Sequence, residues 1–176
     1  MWLGRLAGVD VRASGSGNIG ATNVARAAGL RLGLITLAGD VAKGAIPVLL
    51  AHAAGFGDAT LMLVGLSVFY GHVFSIFARF RGGKGVATAA GVFLVLSPLA
   101  LSGAVVVFAL IARLTRIVSV ASLSAGASLP LFLVLIGQRG TTLWTAVIIA
   151  VSLAATHRDN LRRLAQGKEP RFGLPR

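Results

Sequence analysis

The sequence predicts an all-α integral membrane protein, a polytopic helical bundle, and three observations lead to this fold class. Of its 176 residues, 56% are hydrophobic and only 12% are charged, whereas soluble domains are usually about 45–50% apolar and about 25% charged. Several apolar stretches approach the roughly 20 residues that a membrane-spanning helix requires. The charged residues fall mostly in the short connections between these stretches. A soluble protein of this size could not bury so much apolar surface, so lipid must cover it.

The expected membrane helices are five apolar stretches, residues 34–54, 60–77, 86–112, 117–136 and 143–156. The third stretch is longer than one span needs, and Ser97-Pro98 lies at its middle. Proline removes a helix hydrogen bond and clashes with the preceding turn, so this stretch is either one tilted helix or two short helices that turn at Pro98. Residues 1–8 are apolar but too few to cross a membrane, and they do not have the pattern of a cleavable signal peptide.

The distribution of basic residues decides between these two topologies. Seventeen Lys and Arg stand against five Asp and Glu, and fifteen of the seventeen fall in four clusters. The clusters comprise Arg5, Arg12, Arg26 and Arg31; Arg79, Arg81 and Lys84; Arg113 and Arg116; and Arg158, Arg162, Arg163, Lys168, Arg171 and Arg176. Lys and Arg collect in cytoplasmic loops, and all four clusters share one side only if the stretch 86–112 crosses twice. We therefore predict two short helices there and a cytoplasmic basic face, while any single Arg is equally well explained as a topology signal.

The composition also excludes several kinds of site. The chain has no Cys, which rules out disulfides, thiolate nucleophiles and Cys-ligated metals. Three scattered His and few carboxylates argue against a metal site, and no cofactor is expected. In a soluble protein the net charge of +12 would suggest nucleic acid. In a membrane protein it indicates orientation or an anionic ligand such as phosphate or a lipid headgroup, so no nucleic-acid partner is expected.

The first basic segment, residues 12–26, reads RASGSGNIGATNVAR and has the composition of a phosphate site. Glycine lets the backbone approach an oxyanion closely, and successive amide N–H groups form a concave anion site. Gly15, Gly17 and Gly20 supply such backbone, Ser16, Asn18, Thr22 and Asn23 add neutral donors, and Arg26 adds a fixed charge. A helix starting after Gly20 would also favour phosphate at its N-terminus. The alternative is that these glycines only allow close helix packing.

The second segment, residues 71–88, reads GHVFSIFARFRGGKGVAT. His72 lies near the inner end of a predicted span, and Lys84 lies in a flexible glycine turn with Gly83 before it and Gly85 after it. The turn is not a P-loop, because the spacing G-x-x-x-x-G-K-[ST] is absent. Lys84 is a candidate ligand for an anion or, alternatively, a headgroup anchor.

The third segment, residues 157–169, reads HRDNLRRLAQGKE and should be helical. His157, Asn160 and Arg163 lie about one turn apart and can share a face; the alternative is a basic helix on anionic lipid. Two ionisable residues, Asp40 and Lys43, fall inside a predicted span, where such residues usually face the bundle interior. Their spacing permits an ion pair, and Lys43 could instead reach the basic face.

Together these segments resemble the acyl-phosphate-dependent glycerol-3-phosphate acyltransferases of bacteria, the PlsY family. The family pattern runs GSGNxGATNxxR, D-x-x-K-G, GHxF…F-x-GGKGVAT and HRxNIxRL-x-x-G-x-E, and this chain supplies the four motifs in that order at residues 15–26, 40–44, 71–88 and 157–169. Ser75 stands where many members have Pro, and Leu161 stands where the last motif has Ile. Family members have seven membrane helices. The resemblance therefore predicts a single acyltransferase domain over residues 1–176, with six helices and the end of a truncated first helix.

The resemblance implies transfer of a fatty acyl group from acyl phosphate to the 1-hydroxyl of glycerol-3-phosphate, giving lysophosphatidic acid and phosphate. His72, Lys84 and His157 are then the candidate catalytic residues. The candidate substrate-binding residues are Ser16, Gly17, Asn18, Thr22, Asn23, Arg26, Lys43, Ser75, Gly83, Gly85 and Asn160. Either His, or an oxygen of the donor phosphate, would take the hydroxyl proton. The expected location is the bacterial inner membrane with a cytoplasmic site, and the expected partners are both substrates, membrane lipid and the enzyme that makes the acyl phosphate.

Two other classes of protein fit the same residues. A transporter or channel for anionic solutes would use the same basic pocket, but transporters usually have internal repeats and a site near the bilayer midplane. This chain has no convincing repeat, and its charges lie at one face. A structural lipid-binding protein would need neither the GSGN nor the GGKG arrangement, so substitution of Asn18 or Gly83 would be harmless to it.

Overall fold

The computed structural model describes residues 8–14 and 17–172, and the described residues fold into eight α-helices without a β-strand. In chain order these are α1 (Ala21–Ala28), α2 (Leu30–Ala53), α3 (Asp58–Val73), α4 (Val86–Leu96), α5 (Pro98–Thr115), α6 (Val118–Leu135), α7 (Thr141–Thr156) and α8 (Arg158–Ala165). A short 3₁₀ turn, Ile76–Ala78, follows α3. The predicted all-α bundle is confirmed. The expected end of a first helix and the candidate Ser16 lie outside the described residues.

Within residues 8–14 and 17–172, four segments are long and apolar enough to cross a membrane: α2, α3 together with its 3₁₀ turn, α5 and α6. The apolar helices α4 and α7 are shorter, with 11 and 16 residues. Large apolar side chains such as Leu50, Leu99 and Val151 are more than 60% exposed, as expected where a helix faces lipid rather than water. The observed helix bounds differ from the predicted ones by a few residues, and α2 extends four residues further towards the N-terminus.

The predicted stretch 86–112 forms two helices, as the charge distribution required. α4 ends at Leu96, Ser97 is extended with φ −160°, and Pro98 begins α5. Proline is well tolerated at the first position of a helix, because that residue's N–H has no partner within the helix. The expectation that both helices would be short holds for α4 but is wrong for α5, which continues to Thr115 with 18 residues.

Contacts between the described members of the basic clusters place all four clusters at one face of the bundle. Arg12 Nη2 donates to the carbonyl oxygens of Ala78 and Arg81 at 3.0 and 3.1 Å, which joins the first cluster to the second. Lys84 Nζ donates to Asn160 Oδ1, which joins the second to the last. The Phe172 N–H donates to the Arg116 carbonyl at 2.9 Å, which joins the third to the last. The predicted parity of the crossings is therefore confirmed.

The helices form two groups with a cleft between them. In the first group α2 packs closely on α4: a Cβ added to Gly44 would lie 2.2 Å from the Thr88 carbonyl oxygen, and one added to Gly91 would lie 2.0 Å from the Val41 carbonyl oxygen. Small residues allow such close approach in membranes. In the second group α5 packs against α6, which packs against α7. Contacts of α3 with α7 and of α4 with α5 join the groups, and the candidate site lies in the cleft.

Candidate active site

A cavity of about 440 Å³ occupies the cleft, within the range of about 300–1,000 Å³ that is usual for small-molecule sites. Its polar end is formed at the basic face by α1, the glycine turn before α4, and α8. Its remaining walls are apolar side chains of α2, α4, α5, α6 and α7. Leu37 on α2 and Val105 on α5 line the cavity and are 42% and 53% exposed. The cavity therefore extends to the lipid-facing surface of the bundle.

The apolar part of the cavity follows one face of α6. Ser119, Ser122, Gly126 and Leu129 line it at intervals of three or four residues, which is the spacing of one helix face. From Ser119 to Leu129 the helix rises about 15 Å. The side chains change along this path from two hydroxyls near the basic face to apolar groups, so the cavity can hold a ligand with a polar head and an apolar chain.

The loop before α1 is held in shape by its own asparagines. Asn18 Oδ1 accepts a hydrogen bond from the Gly20 N–H at 2.8 Å. Asn23 is buried, and its Nδ2 donates to the carbonyl oxygens of Val11, Ser14 and Asn18 at 2.9, 3.0 and 2.8 Å. The Asn23 amide nitrogen, predicted as a ligand donor, thus fastens the loop. Its task in the described residues is to fix the backbone of Asn18 and Gly20 at the cavity.

α1 directs its N-terminus towards this end of the cavity. Gly20 is extended and no side chain caps the helix, so the N–H groups of its first turn can donate hydrogen bonds to an anion. Gly20, Ala21 and Thr22 line the cavity, and Arg26 lines it one turn further on. The predicted helix start after Gly20 is confirmed. Gly17 lies in a loop with φ +68°, which argues against the helix-packing alternative at that position.

The glycine turn before α4 is packed rather than flexible, contrary to the prediction. A Cβ on Gly83 would lie 2.1 Å from His72 Nε2, and a Cβ on Gly85, which has φ +88°, would lie 2.3 Å from the Phe69 ring. The turn therefore lies directly against the end of α3, and His72 and Lys84 both line the cavity. Lys84 is inside the site, which argues against the headgroup-anchor alternative.

Lys84 is held by a hydrogen-bond network that ends in a buried carboxylate. Lys84 Nζ donates to Asn160 Oδ1, and Asn160 Nδ2 donates to Glu169 Oε1 at 2.5 Å. Ser119 Oγ donates to the same Glu169 oxygen at 2.7 Å, and Arg163 Nε donates to Oε2 at 2.8 Å. Because Glu169 receives the Asn160 amide group, the amide oxygen must face Lys84. Glu169 therefore fixes the orientation of the side chain that positions Lys84.

Burial and these hydrogen bonds change the pKa values at the site. Burial lowers the pKa of the Lys84 ammonium to about 8, so this cation is mostly protonated at pH 7 but loses its proton easily. Burial raises the pKa of the Glu169 carboxyl, but the hydrogen bonds from Asn160, Ser119 and Arg163 outweigh this and hold it below its ordinary value. Glu169 is thus ionised and balances the Arg163 charge, whereas the bond that holds Lys84 comes from a neutral amide.

His157 lies just after α7 and is 98% buried, with 2% of its surface exposed. Its Nδ1 lies 2.8 Å from the Leu153 carbonyl oxygen, which can only accept, so Nδ1 carries the proton. Burial, and then the nearby charge of Lys84, lower the pKa of His157 to about 4. At neutral pH the imidazole is therefore uncharged, and Nε2 carries the lone pair in a ring that lines the cavity.

The predicted ion pair in α2 is confirmed. Lys43 Nζ lies 2.6 Å from Asp40 Oδ1, and His72 Nδ1 lies 3.8 Å from the same oxygen. Asp40 and His72 line the cavity, whereas the Lys43 side chain is 44% exposed and does not line it.

The cavity gathers most of the predicted site residues. It is lined by Asn18, Thr22, Asn23, Arg26, His72, Lys84, Gly85, His157 and Asn160. Gly17, Lys43, Ser75 and Gly83 lie nearby without lining it. The Ser75 carbonyl accepts from the N–H groups of Ala78, the last residue of the 3₁₀ turn, and of Phe80 just after it. Sequence reasoning assigned no site role to Glu169, although it closes the last motif, nor to Asp40, Ser119 or Ser122. Within the described residues, no group of three or more His, Asp or Glu is arranged to hold a metal.

A membrane bundle whose cavity joins a cationic, glycine-lined end to an apolar body is typical of an enzyme acting on anionic lipids or their precursors. The chain belongs to the glycerol-3-phosphate acyltransferase family, whose sequence model matches residues 1–167. The glycerol-3-phosphate acyltransferase of Geobacter sulfurreducens is 50% identical over 170 residues, covering 97% of this chain and 88% of that protein. The one from Geotalea daltonii is 46% identical with the same coverage.

Solved structures agree with the fold. Two crystal structures of PlsY (YgiH), an integral membrane glycerol 3-phosphate acyltransferase, are 41% identical to this chain. The glycerol 3-phosphate form matches with a TM-score of 0.92 over 98% of this chain and 88% of that one. The lysophosphatidic acid form matches with a TM-score of 0.91, covering 98% and 86%. These matches favour the interpretation as an enzyme over the transporter and structural alternatives.

Proposed function

We propose that this chain is one integral membrane domain that transfers a fatty acyl group from acyl phosphate to the 1-hydroxyl of glycerol-3-phosphate. The hydroxyl oxygen forms an ester bond with the acyl carbon, and the bond from that carbon to the phosphate oxygen breaks. Inorganic phosphate leaves with the electron pair, and lysophosphatidic acid is the second product. The observation that carries this proposal is a cavity in which a cationic end continues into an apolar body that follows α6 over a rise of about 15 Å.

The polar end suits a reaction in which both substrates carry phosphate. The first turn of α1 with Arg26 forms one anion site, and Lys84 with the amides of its turn forms another. Holding two reactants together contributes several kcal/mol to lowering the barrier. Lys84 or the glycine amides also stabilise the oxyanion that develops on the acyl carbonyl. Relatives crystallised in glycerol 3-phosphate and lysophosphatidic acid forms support this acceptor and this product.

The donor is already activated, so the reaction needs no covalent enzyme intermediate. The hydroxyl proton goes to His157 Nε2, to His72, or to an oxygen of the donor phosphate. His157 is the better placed of the two histidines, because its Nδ1–H is fixed on Leu153 and its Nε2 is unprotonated at neutral pH. Neither acyl-CoA nor acyl carrier protein is expected to serve directly as donor.

The proposed location is the bacterial inner membrane, with the basic face and the polar end of the cavity on the cytoplasmic side. The gathering of the basic clusters at one face supports this orientation. Glycerol-3-phosphate then reaches the site from the cytoplasm, and the acyl chain enters from lipid at the surface where Leu37 and Val105 are exposed. The enzyme that makes the acyl phosphate is a proposed partner on the same side.

The proposal is tested by substitutions at the two ends of the bundle. Purified protein in liposomes receives a long-chain acyl phosphate and glycerol-3-phosphate, and lysophosphatidic acid is measured. Lys84→Met should lower kcat/KM by about 10²–10³, the usual cost of removing one oxyanion or phosphate donor. Arg139→Met, an exposed residue of the connection between α6 and α7 on the opposite face, is the matched control and should stay within about twofold. Equal activity of the two variants would contradict the assignment of the site.

A further inference from the structure

Asp40 is a carboxylate in a cavity that otherwise offers cations, amides and apolar groups. The described residues supply two carboxylates to this cavity, Asp40 from α2 and Glu169 from the segment after α8. Both Glu169 oxygens are engaged, Oε1 by Asn160 and Ser119 and Oε2 by Arg163. Glu169 therefore belongs to the network that positions Lys84, and its oxygens are not available to a ligand.

Asp40 has acceptor capacity left. Its Oδ1 accepts from Lys43 at 2.6 Å, and its Oδ2 makes no hydrogen bond within the described residues. The side chain is 14% exposed and lines the cavity beside His72. A carboxylate repels phosphate, but the Lys43 ammonium compensates its charge. An ionised carboxylate can accept hydrogen bonds at both oxygens, so this side chain suits a ligand with neutral hydroxyl groups.

Glycerol-3-phosphate has the matching chemistry, since it carries an anion at one end and two hydroxyls at the other. We infer that Asp40 is a specificity-determining residue that accepts a hydrogen bond from the 2-hydroxyl of the acceptor substrate. The phosphate then lies towards Lys84 and Arg26, and the hydroxyl end lies towards Asp40 and His72. This opposition of charge orients the glycerol and presents the 1-hydroxyl to the donor. The inference rests on the proposed function and adds how that site selects its acceptor.

The competing explanation is that Asp40 only neutralises Lys43 within the membrane. An unpaired charge there is costly, so either residue alone would be poorly tolerated. The two explanations differ in what happens when both charges are removed together. Asp40→Leu combined with Lys43→Met leaves no unpaired charge and keeps similar side-chain volumes. A neutralising pair can be lost in this way without effect on substrate choice, whereas a hydroxyl acceptor cannot.

The experiment compares glycerol-3-phosphate with 3-hydroxypropyl phosphate, which keeps the attacking hydroxyl and the phosphate but lacks the 2-hydroxyl. For the wild-type protein, kcat/KM should favour glycerol-3-phosphate by about 10- to 100-fold, the value of a hydrogen bond to a charged group. In the double variant this preference should fall to less than about threefold. The Lys43→Met variant keeps the carboxylate, so it should keep the wild-type preference whatever its absolute rate. Inhibition by inorganic phosphate should be the same in the wild type and the double variant, because the double variant removes both charges of the pair together.

The outcomes of this comparison bear on Asp40 and on the proposed function separately. A double variant that prefers glycerol-3-phosphate as strongly as wild type overturns the inference, and so does a change in inhibition by phosphate that parallels the change in preference. If the double variant does not fold, the wild-type comparison can still overturn the inference, because equal use of the two acceptors excludes recognition of the 2-hydroxyl. A wild-type protein that acylates neither acceptor contradicts the proposed function itself, which separates the two failures.

Discussion

Replacing Gly83 by alanine tests whether the packing of the glycine turn on His72 matters for catalysis. The added Cβ would lie 2.1 Å from His72 Nε2, whereas an ordinary van der Waals contact begins near 3.4 Å. Either the imidazole or the turn carrying Lys84 must therefore move by about 1 Å. A misplacement of about 1 Å at a reacting group can cost about 10²-fold in rate. We expect Gly83→Ala to lower kcat/KM by about that factor.

Gly71→Ala is the matched control for this prediction. Gly71 is adjacent to His72 in α3, and a Cβ added to it would meet nothing within 4 Å. Its activity should stay within about twofold of wild type, and its thermal unfolding temperature should be equal or higher, because alanine favours helix. Both variants are assayed for lysophosphatidic acid formation and for thermal unfolding in the same lipid. Equal kcat/KM for the two variants, with both folded, would refute the argument from packing.

Three further predictions concern the charges of the site. Because the pKa of Lys84 is lowered to about 8, kcat/KM should fall as pH rises through about 8, where the ammonium loses its proton. In a pH profile Lys84→Arg should remove this fall, because guanidinium stays charged. Because the pKa of His157 is lowered to about 4, its Nε2 stays unprotonated down to that pH. This would be contradicted if wild-type activity fell with a midpoint near pH 6.5 and the fall were absent from His157→Gln. The same variant should lower kcat by about 10²-fold if Nε2 takes the proton, and by less than tenfold if the donor phosphate does. Glu169→Gln should destabilise the protein by about 2 kcal/mol, since it weakens charge-assisted hydrogen bonds from Arg163 and Asn160, and thermal unfolding beside the exposed control Asp159→Asn measures this.

The fold was predictable because membrane helices leave a strong signal in composition and charge. The topology around Pro98 followed from a single physical rule, the gathering of Lys and Arg on one side, and contacts such as Lys84–Asn160 confirm it. The length of α5 was not predictable in the same way. Its last three residues include the charged Arg113 and the polar Thr115, so hydropathy alone places the end of the span too early.

The polar end of the site was predictable in its residues but not in their tasks. The motifs brought Asn23, Lys84, His157 and Asn160 to one cavity. Sequence could not show that the Asn23 amide is engaged by three loop carbonyls, because Val11, Ser14 and Asn18 are not distinguished by any pattern. Nor could it show that Gly83 packs on His72, since this contact joins residues whose approach depends on how the chain turns after α3.

Glu169 and Asp40 illustrate the same limit for carboxylates. Each stood inside a recognised motif, yet an acidic residue in a basic segment suggests charge balance before it suggests a site. Only the geometry shows that both Glu169 oxygens accept hydrogen bonds within the protein, while one Asp40 oxygen makes none among the described residues. Residue type and spacing locate a site, but hydrogen-bond partners assign the tasks within it.

One measurement tests most directly whether acyl phosphate is the direct acyl donor. Purified protein in liposomes is given a long-chain acyl phosphate or the matching acyl-CoA, each with and without glycerol-3-phosphate, and released phosphate and lysophosphatidic acid are quantified in the same samples. We predict that the two products form in equal amounts from acyl phosphate, only when glycerol-3-phosphate is present, and that acyl-CoA gives neither. Lysophosphatidic acid formed from acyl-CoA at a comparable rate, or none formed from acyl phosphate, would contradict the account.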